Sequence, residues 1–184
     1  MAAMPEDLPM HVTVMPMRRR HLRSVLRIEA LVYPRPWSLG LFMSELALKT
    51  TRAYLVAKVG NDVVGYAGLM VTGSDGHVTT VAVDPDWQRN GIGTRLMLGL
   101  STAAAVRGCT GLTLEVRVGN TGAQELYRAF GFAPAGVRKN YYTETNEDAL
   151  VMWAHDIDLA AHRQRLDAIA ASVPGTTTWE GVPR

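Results

Sequence analysis

The sequence predicts an α/β (α+β) domain: a mixed, mostly antiparallel sheet of six or seven strands with helices on both faces. Three observations predict it. β-Branched runs alternate with amphipathic helical stretches through residues 11–158. Some strands are joined by turns too short for a crossover, as at Gly60-Asn61-Asp62, so those neighbours are antiparallel. The strands Val78–Val83 and Leu112–Val118 are instead separated by a long helix, which lets them run parallel.

Composition sets the bounds. With 184 residues, 47% of them hydrophobic and 20% charged, the chain suits one domain of about 150 residues and a tail. A net charge of +2 is too small to argue for nucleic acid or a membrane as partner. The single Cys109 excludes an internal disulfide and a Cys-based metal cluster, and it suits a reducing cytoplasm. The opening MAAMPEDLPM carries acids and prolines where a signal peptide is basic and then apolar, and no apolar run approaches the ~18 residues of a membrane span. No His, Cys and carboxylate cluster has metal-ligand spacing, so no metal is expected.

Taken in order, residues 1–10 read as a disordered N-terminus and His11–Met17 as a first strand. Arg18–Tyr33 reads as a helix, with Leu22, Val25, Leu26 and Glu29 at helical spacing and Arg18-Arg19-Arg20 on the solvated face of its first turn. Two prolines stiffen the loop Tyr33–Ser38, and Ser38 caps the helix Leu39–Leu48. Trp37 on that loop is either a core plug or part of a binding wall. Ala53–Val59 and Val63–Val71 form a hairpin, and the turn Gly73–Gly76 leads into the strand Val78–Val83. Asp84-Pro85-Asp86 stops that strand.

Gly91 and Gly93 then open a helix reaching about Arg107, and Gly108–Gly111 ends it. Unpaired N–H groups and the positive dipole end make such a helix N-terminus an anion site, and glycines let the anion approach the backbone. Arg89 adds positive charge beside it. A Walker A loop would need Lys-Ser/Thr after the second glycine, and Thr94-Arg95 stands there; a dinucleotide fingerprint needs a third glycine, and Leu96 stands there.

The strand Leu112–Val118 places Leu112, Leu114, Val116 and Val118 on one face and Thr113, Glu115 and Arg117 on the other. Asn120 caps the next helix, whose apolar stripe is Ala123, Leu126, Tyr127 and Phe130. Strands over Phe132–Tyr142 and Ala149–Ile157 close the domain at about Asp158. Residues 159–184 read as a C-terminal extension, a short helix and then a flexible tail from Pro174.

A carboxylate within an interior strand needs a reason. Glu115 is either a general base or the partner of a neighbouring Arg. Tyr127 is either a proton donor, its unperturbed pKa of about 10 keeping it protonated at neutral pH, or a core residue of its helix. The five histidines are scattered and read as surface or satisfied residues.

The segment Gln88-x-x-Gly91-x-Gly93 resembles the pyrophosphate-binding motif Gln/Arg-x-x-Gly-x-Gly/Ala of the GCN5-related N-acetyltransferases (GNAT family). Leu114-Glu115-Val116-Arg117, Asn120, Ala123, Leu126-Tyr127 and Gly131-Phe132 match the same family in order. Pro36-Trp37-Ser38, Arg138–Tyr142 and Glu147–Met152 resemble its RimI-type ribosomal-protein-alanine N-acetyltransferases. The resemblance spans about residues 12–158.

It implies acetyl-coenzyme A as acetyl donor, held in a cleft where a parallel strand pair splays apart. It also implies Glu115 as general base and Tyr127 as general acid. Val81, Ala82 and Val83 would pair with the pantetheine arm, Gln88, Arg89, Asn90, Gly91, Ile92, Gly93 and Thr94 would grip the pyrophosphate, and Asn120 would touch the cofactor. Trp37 and Tyr141 would shape the substrate groove. Gly119 where a Ser is usual, Gly122 in a first helical turn and Thr143 where Pro is frequent depart from the pattern.

The function implied is direct transfer of acetyl to the N-terminal amine of a protein, the alanine of small-subunit ribosomal protein bS18, with neither nucleic acid nor membrane as partner. Acetylation of lysine side chains or of a small-molecule amine is the alternative within the family; a non-catalytic acyl-coenzyme A-binding module is the alternative outside it.

Overall fold

A computed structural model describes residues 9–183. Strand β1 (His11–Pro16) and a 3-10 turn at Arg19–His21 lead into α1 (Leu22–Val32) and α2 (Leu39–Ala47). Three strands run back and forth: β2 (Arg52–Val59), β3 (Asp62–Thr72) and β4 (Asp75–Val83). Helix α3 (Ile92–Val106) crosses to β5 (Gly111–Arg117), and α4 (Thr121–Ala129) leads to β6 (Ala133–Tyr142). Strand β7 (Glu147–His155) returns, followed by α5 (Ala160–Ser172) and β8 (Thr176–Trp179).

All eight strands join one sheet in the order β6-β7-β5-β4-β3-β2-β1-β8. The pairs β4–β5 and β1–β8 are parallel and the others antiparallel. Helices cover both faces. On one, Val25 and Ile28 of α1 and Phe42 of α2 pack on Tyr54, Val56 and Tyr66. On the other, Leu96, Met97 and Leu100 of α3 pack on Leu55, Ala67 and Leu69, and Tyr127 of α4 joins the same core.

The strand pair that the crossover makes parallel holds together only briefly. Asp75, Gly76 and His77 of β4 pair with Gly111, Leu112 and Thr113 of β5. Beyond His77 the strands part, although β4 stays paired to β3 as far as Val83 and β5 to β7 as far as Arg117. A bulge after Gly68, opposite Val78–Thr80, increases the local twist where they separate. A Cβ on Gly68 would crowd the Tyr54 ring and lie 2.7 Å from Thr79 Oγ1, so a side chain there would force these neighbours to shift.

Several expectations are corrected. The sheet has eight strands because the C-terminal tail, expected to be flexible from Pro174, supplies β8. Its TTTW run is β-prone and finds the free edge of β1. The expected disordered stretch lies outside the described residues except for Pro9 and Met10, and the Met10 carbonyl accepts the Thr176 N–H at 3.0 Å. Helix α1 starts at Leu22, after the exposed Arg18–Arg20. Strand β4 starts at Asp75 rather than Val78. Val118 lies past the end of β5 and is half exposed. Among the described residues no helix is long and apolar enough to cross a membrane.

Candidate active site

A cavity of about 570 Å³ opens at the splay between β4 and β5. Alternation along β5 buries Leu112 and Leu114 under α3 and sends Glu115 to the opposite face, where it lines the cavity with only 10% of its side chain exposed. Glu115 Oε2 lies 2.6 Å from His77 Nε2, and Oε1 lies 3.5 Å from the Arg138 guanidinium. An ionised carboxylate only accepts, so the ring nitrogen is the donor in that state. His77 is the last β4 residue paired to β5, which sets the pair at the mouth of the cleft. The reading of the histidines as surface or satisfied residues passed it over, because the expected strand began one residue too late to include it.

Tyr127 reaches the cavity from α4 and is buried, and burial pushes its phenol pKa far above the ordinary value. Its hydroxyl therefore stays protonated at neutral pH. Tyr33, the C-cap of α1, also lines the cavity. Its hydroxyl meets Thr80 Oγ1 at 3.1 Å and donates to the Val81 carbonyl at 3.2 Å. Burial raises its pKa too.

Trp37 combines the two roles left open for it. Its ring packs 5.3 Å from that of Phe42, and it also lines the cavity. Its backbone N–H donates to Glu29 Oε1 at 2.9 Å, fixing the proline-stiffened loop to α1. Glu29 is itself buried, and that burial raises its pKa against the lowering effect of the Trp37 N–H.

The opposite wall comes from the β6–β7 hairpin. The register shifts between Arg138 and Tyr142, and Asn140 takes a left-handed φ of 49°, a conformation Asn tolerates. Tyr141 and Tyr142 both line the cavity, with their rings edge to face at 5.1 Å. Arg117 lies 4.0 Å over the Tyr142 ring and bridges Glu147 at 2.9 Å and Glu144 at 3.1 Å, tying the hairpin turn to β5. Burial pushes the Tyr142 phenol up to about 12.

The glycine-rich loop lies at the start of α3. Gly91 is the N-cap with φ 70° and offers no side-chain cap, so first-turn N–H groups are left for an anion. Arg89 also has positive φ, 65°. Gln88 Nε2–H donates to the Val83 carbonyl at 3.4 Å, and Asn90 Nδ2–H to the Gln88 carbonyl at 3.0 Å, so both side chains shape the loop. A Cβ at Gly93 would lie 3.4 Å from Leu126 Cδ2, so α3 and α4 approach closely there. Val81 lines the cavity on the open edge of β4, whereas the Ala82 side chain is buried against the α1–α2 layer. Asn120 lines the cavity and also caps α4, accepting the Ala123 N–H at 3.1 Å. Cys109 is buried outside this lining, and burial pushes its thiol pKa up.

A parallel strand pair that opens beside an uncapped helix start, with a carboxylate and a phenol in the gap, is the arrangement of an acyl-coenzyme A-dependent transferase. The acetyltransferase (GNAT) family model matches residues 22–132. The chain belongs to that family and is an acetyl-coenzyme A-dependent N-acetyltransferase.

It is 32% identical over 142 residues to the [ribosomal protein bS18]-alanine N-acetyltransferase of Escherichia coli K12, covering 76% of this chain and 95% of that one. It is 36% identical over 147 residues to the N-alpha-acetyltransferase RimI of Mycobacterium tuberculosis H37Rv, covering 77% and 90%. The crystal structure of the ribosomal-protein-S18-alanine N-acetyltransferase from Escherichia coli superposes with a TM-score of 0.72 at 31% identity, covering 79% of this chain and 94% of that one.

Proposed function

We propose that this enzyme acetylates the N-terminal α-amine of a protein, and that its substrate is the alanine N-terminus of small-subunit ribosomal protein bS18, as the names of its Escherichia coli relatives state for them. The observation that carries the reading is the Glu115–His77 pair, set where β4 and β5 part and enclosed by Trp37, Tyr141 and Tyr142. Aromatic walls from the Trp37 loop and from the end of β6 suit an extended peptide entering amine first. That substrate places the enzyme in the cytoplasm. Neither nucleic acid nor membrane is needed for the reaction.

Acetyl-coenzyme A supplies the acetyl group as a thioester. The residues fit it on two counts: the open edge of β4 at Val81–Val83 offers backbone partners to the pantetheine arm, and the uncapped start of α3 offers N–H groups to the pyrophosphate. Gln88 to Thr94 form the loop that holds the pyrophosphate, and Asn120 closes the site from the start of α4. No metal takes part.

A protein α-amine has a pKa of about 7.7–8.0, so much of it arrives as ammonium. Glu115 takes the amine proton, directly or through a water, while His77 and Arg138 orient the carboxylate. A backbone N–H near Val81 polarises the thioester carbonyl. Tyr127 gives its hydroxyl proton to the leaving sulfur and is reprotonated, through water, by the second proton that the nitrogen sheds as the amide forms. The amine nitrogen forms the new bond to the acetyl carbon as the carbon–sulfur bond breaks, with no covalent enzyme intermediate, and Cys109 is not used.

Thiol release from acetyl-coenzyme A tests this with two peptides. One carries the bS18 N-terminus from the same organism; the other has that N-terminus blocked and a lysine added. Release with the free N-terminus alone is expected. Release with the blocked lysine peptide, or with neither, contradicts the substrate.

A further inference from the structure

The C-terminal extension, which lies beyond the family resemblance, meets the glycine-rich loop through one buried side chain. Arg95, in the first turn of α3, is 1% exposed and makes no ion pair among the described residues. A buried guanidinium needs acceptors for its N–H groups. Arg95 finds two in the loop, donating from Nη1 to the carbonyls of Asn90 at 3.2 Å and Gly91 at 3.3 Å. It finds two more in the extension, donating from Nε to Thr177 Oγ1 at 2.8 Å and from Nη2 to the Pro174 carbonyl.

A second contact is independent of hydrogen bonding. A Cβ on Gly91 would lie 2.9 Å from Val173 Cγ1, so the extension presses directly on the residue that caps α3. The extension is anchored in turn: β8 pairs with β1 from His11↔Thr176 to Val14↔Trp179. The loop needs such support, because Arg89 holds a left-handed conformation that a non-glycine residue keeps only where its surroundings fix it.

We propose that Val173–Thr177 brace the pyrophosphate loop, and that Arg95 is a positioning residue which couples the extension to cofactor binding. The brace holds the loop in its binding geometry before the cofactor arrives, so the loop is not ordered at the expense of affinity. Coupling is reciprocal, so cofactor binding also stabilises the extension. The inference rests on the reading of this loop as the coenzyme A site.

The experiment measures coenzyme A binding by calorimetry to the full-length enzyme, to Thr177→Val and to Thr178→Val. The Thr177 variant loses the hydroxyl that Arg95 uses and keeps a β-branched side chain. Thr178 sits next to it and faces His11 instead. Thr177→Val is expected to raise the coenzyme A Kd and the acetyl-coenzyme A KM by about 10- to 20-fold, the low end of the range for a hydrogen bond to a charged group. The expected kcat and peptide KM stay within about twofold, and Thr178→Val leaves binding unchanged.

A second measurement needs no variant: coenzyme A should slow amide exchange at residues 173–177 of the wild-type enzyme. Binding by the wild type with an unchanged Kd in Thr177→Val, or with no protection of 173–177, overturns the brace. Failure of the wild type to bind coenzyme A overturns the reading of the loop itself.

Discussion

His77 Nε2 and Glu115 Oε2 lie 2.6 Å apart at the end of the short stretch where β4 and β5 pair, with Glu115 two residues past its last rung. The last rung of a parallel ladder thus carries the carboxylate's partner, and the cleft opens immediately beyond it. Glu115→Gln should lower kcat by about 10²–10⁴-fold, the range for losing a general base, with the KM for acetyl-coenzyme A nearly unchanged. His77→Phe removes the ring donor and should lower kcat by roughly 10-fold on the same pattern. Steady-state kinetics with both substrates varied checks the two, and a loss confined to KM contradicts the base assignment.

Tyr127 offers a cleaner separation of chemistry from packing. Its ring lies 6.0 Å from that of Phe132 in the core, and Tyr127→Phe keeps that contact while removing the hydroxyl. Turnover should fall by about 10-fold or more, with melting temperature and coenzyme A affinity near wild type. Unchanged turnover contradicts the role of proton donor.

Glu29 gives a prediction whose sign follows from linkage. Burial raises its folded pKa above the ordinary 4.5, so the native state holds the proton more tightly than the unfolded chain. Stability therefore falls as pH rises from the unfolded value through the folded one, and the deficit persists above it. Glu29→Gln retains an acceptor for the Trp37 N–H and removes the charge. Its melting temperature should exceed that of the wild type at pH 7, by about 2–4 °C per kcal/mol, and the gain should shrink as pH falls toward 5. Thermal melts across that range check it; a gain that grows toward low pH contradicts it.

Gly68 tests the bulge that helps open the cleft. A Cβ there would meet the Tyr54 ring and Thr79 Oγ1. Gly68→Ala should destabilise by about 1–3 kcal/mol, the usual cost of overpacking. Denaturant unfolding measures this directly, and a neutral effect would show that the bulge can relax.

Much of the fold was legible because its signals are local. The hairpin turns, the helix start at Gly91–Gly93 and the alternation around Glu115 each follow from a short stretch of chain. What was missed depends on partners far apart in sequence. β8 is four residues, TTTW, β-prone but too short to be read as a strand by itself, and it is the edge of β1 that makes it one. The His77–Glu115 pair spans 38 positions and depends on the parallel register, so spacing could not reveal it. Period-two reading from β4's true start at Asp75 could have shown that His77 lies on the strand. Nothing local to α3 signals the burial of Arg95, which follows from the extension that folds over it. Trp37 was left between two roles because a side chain can serve the core and the cavity at once.

The most direct test puts both candidate amines in one molecule. A peptide with the bS18 N-terminal sequence, a free α-amine and one internal lysine is incubated with the enzyme and acetyl-coenzyme A, and the product is fragmented by mass spectrometry. The acetyl group is expected on the α-nitrogen alone, and the Glu115→Gln enzyme is expected to leave the peptide almost unmodified. Acetyl on the lysine ε-nitrogen, with the α-amine still free, would contradict N-terminal transfer in this cavity.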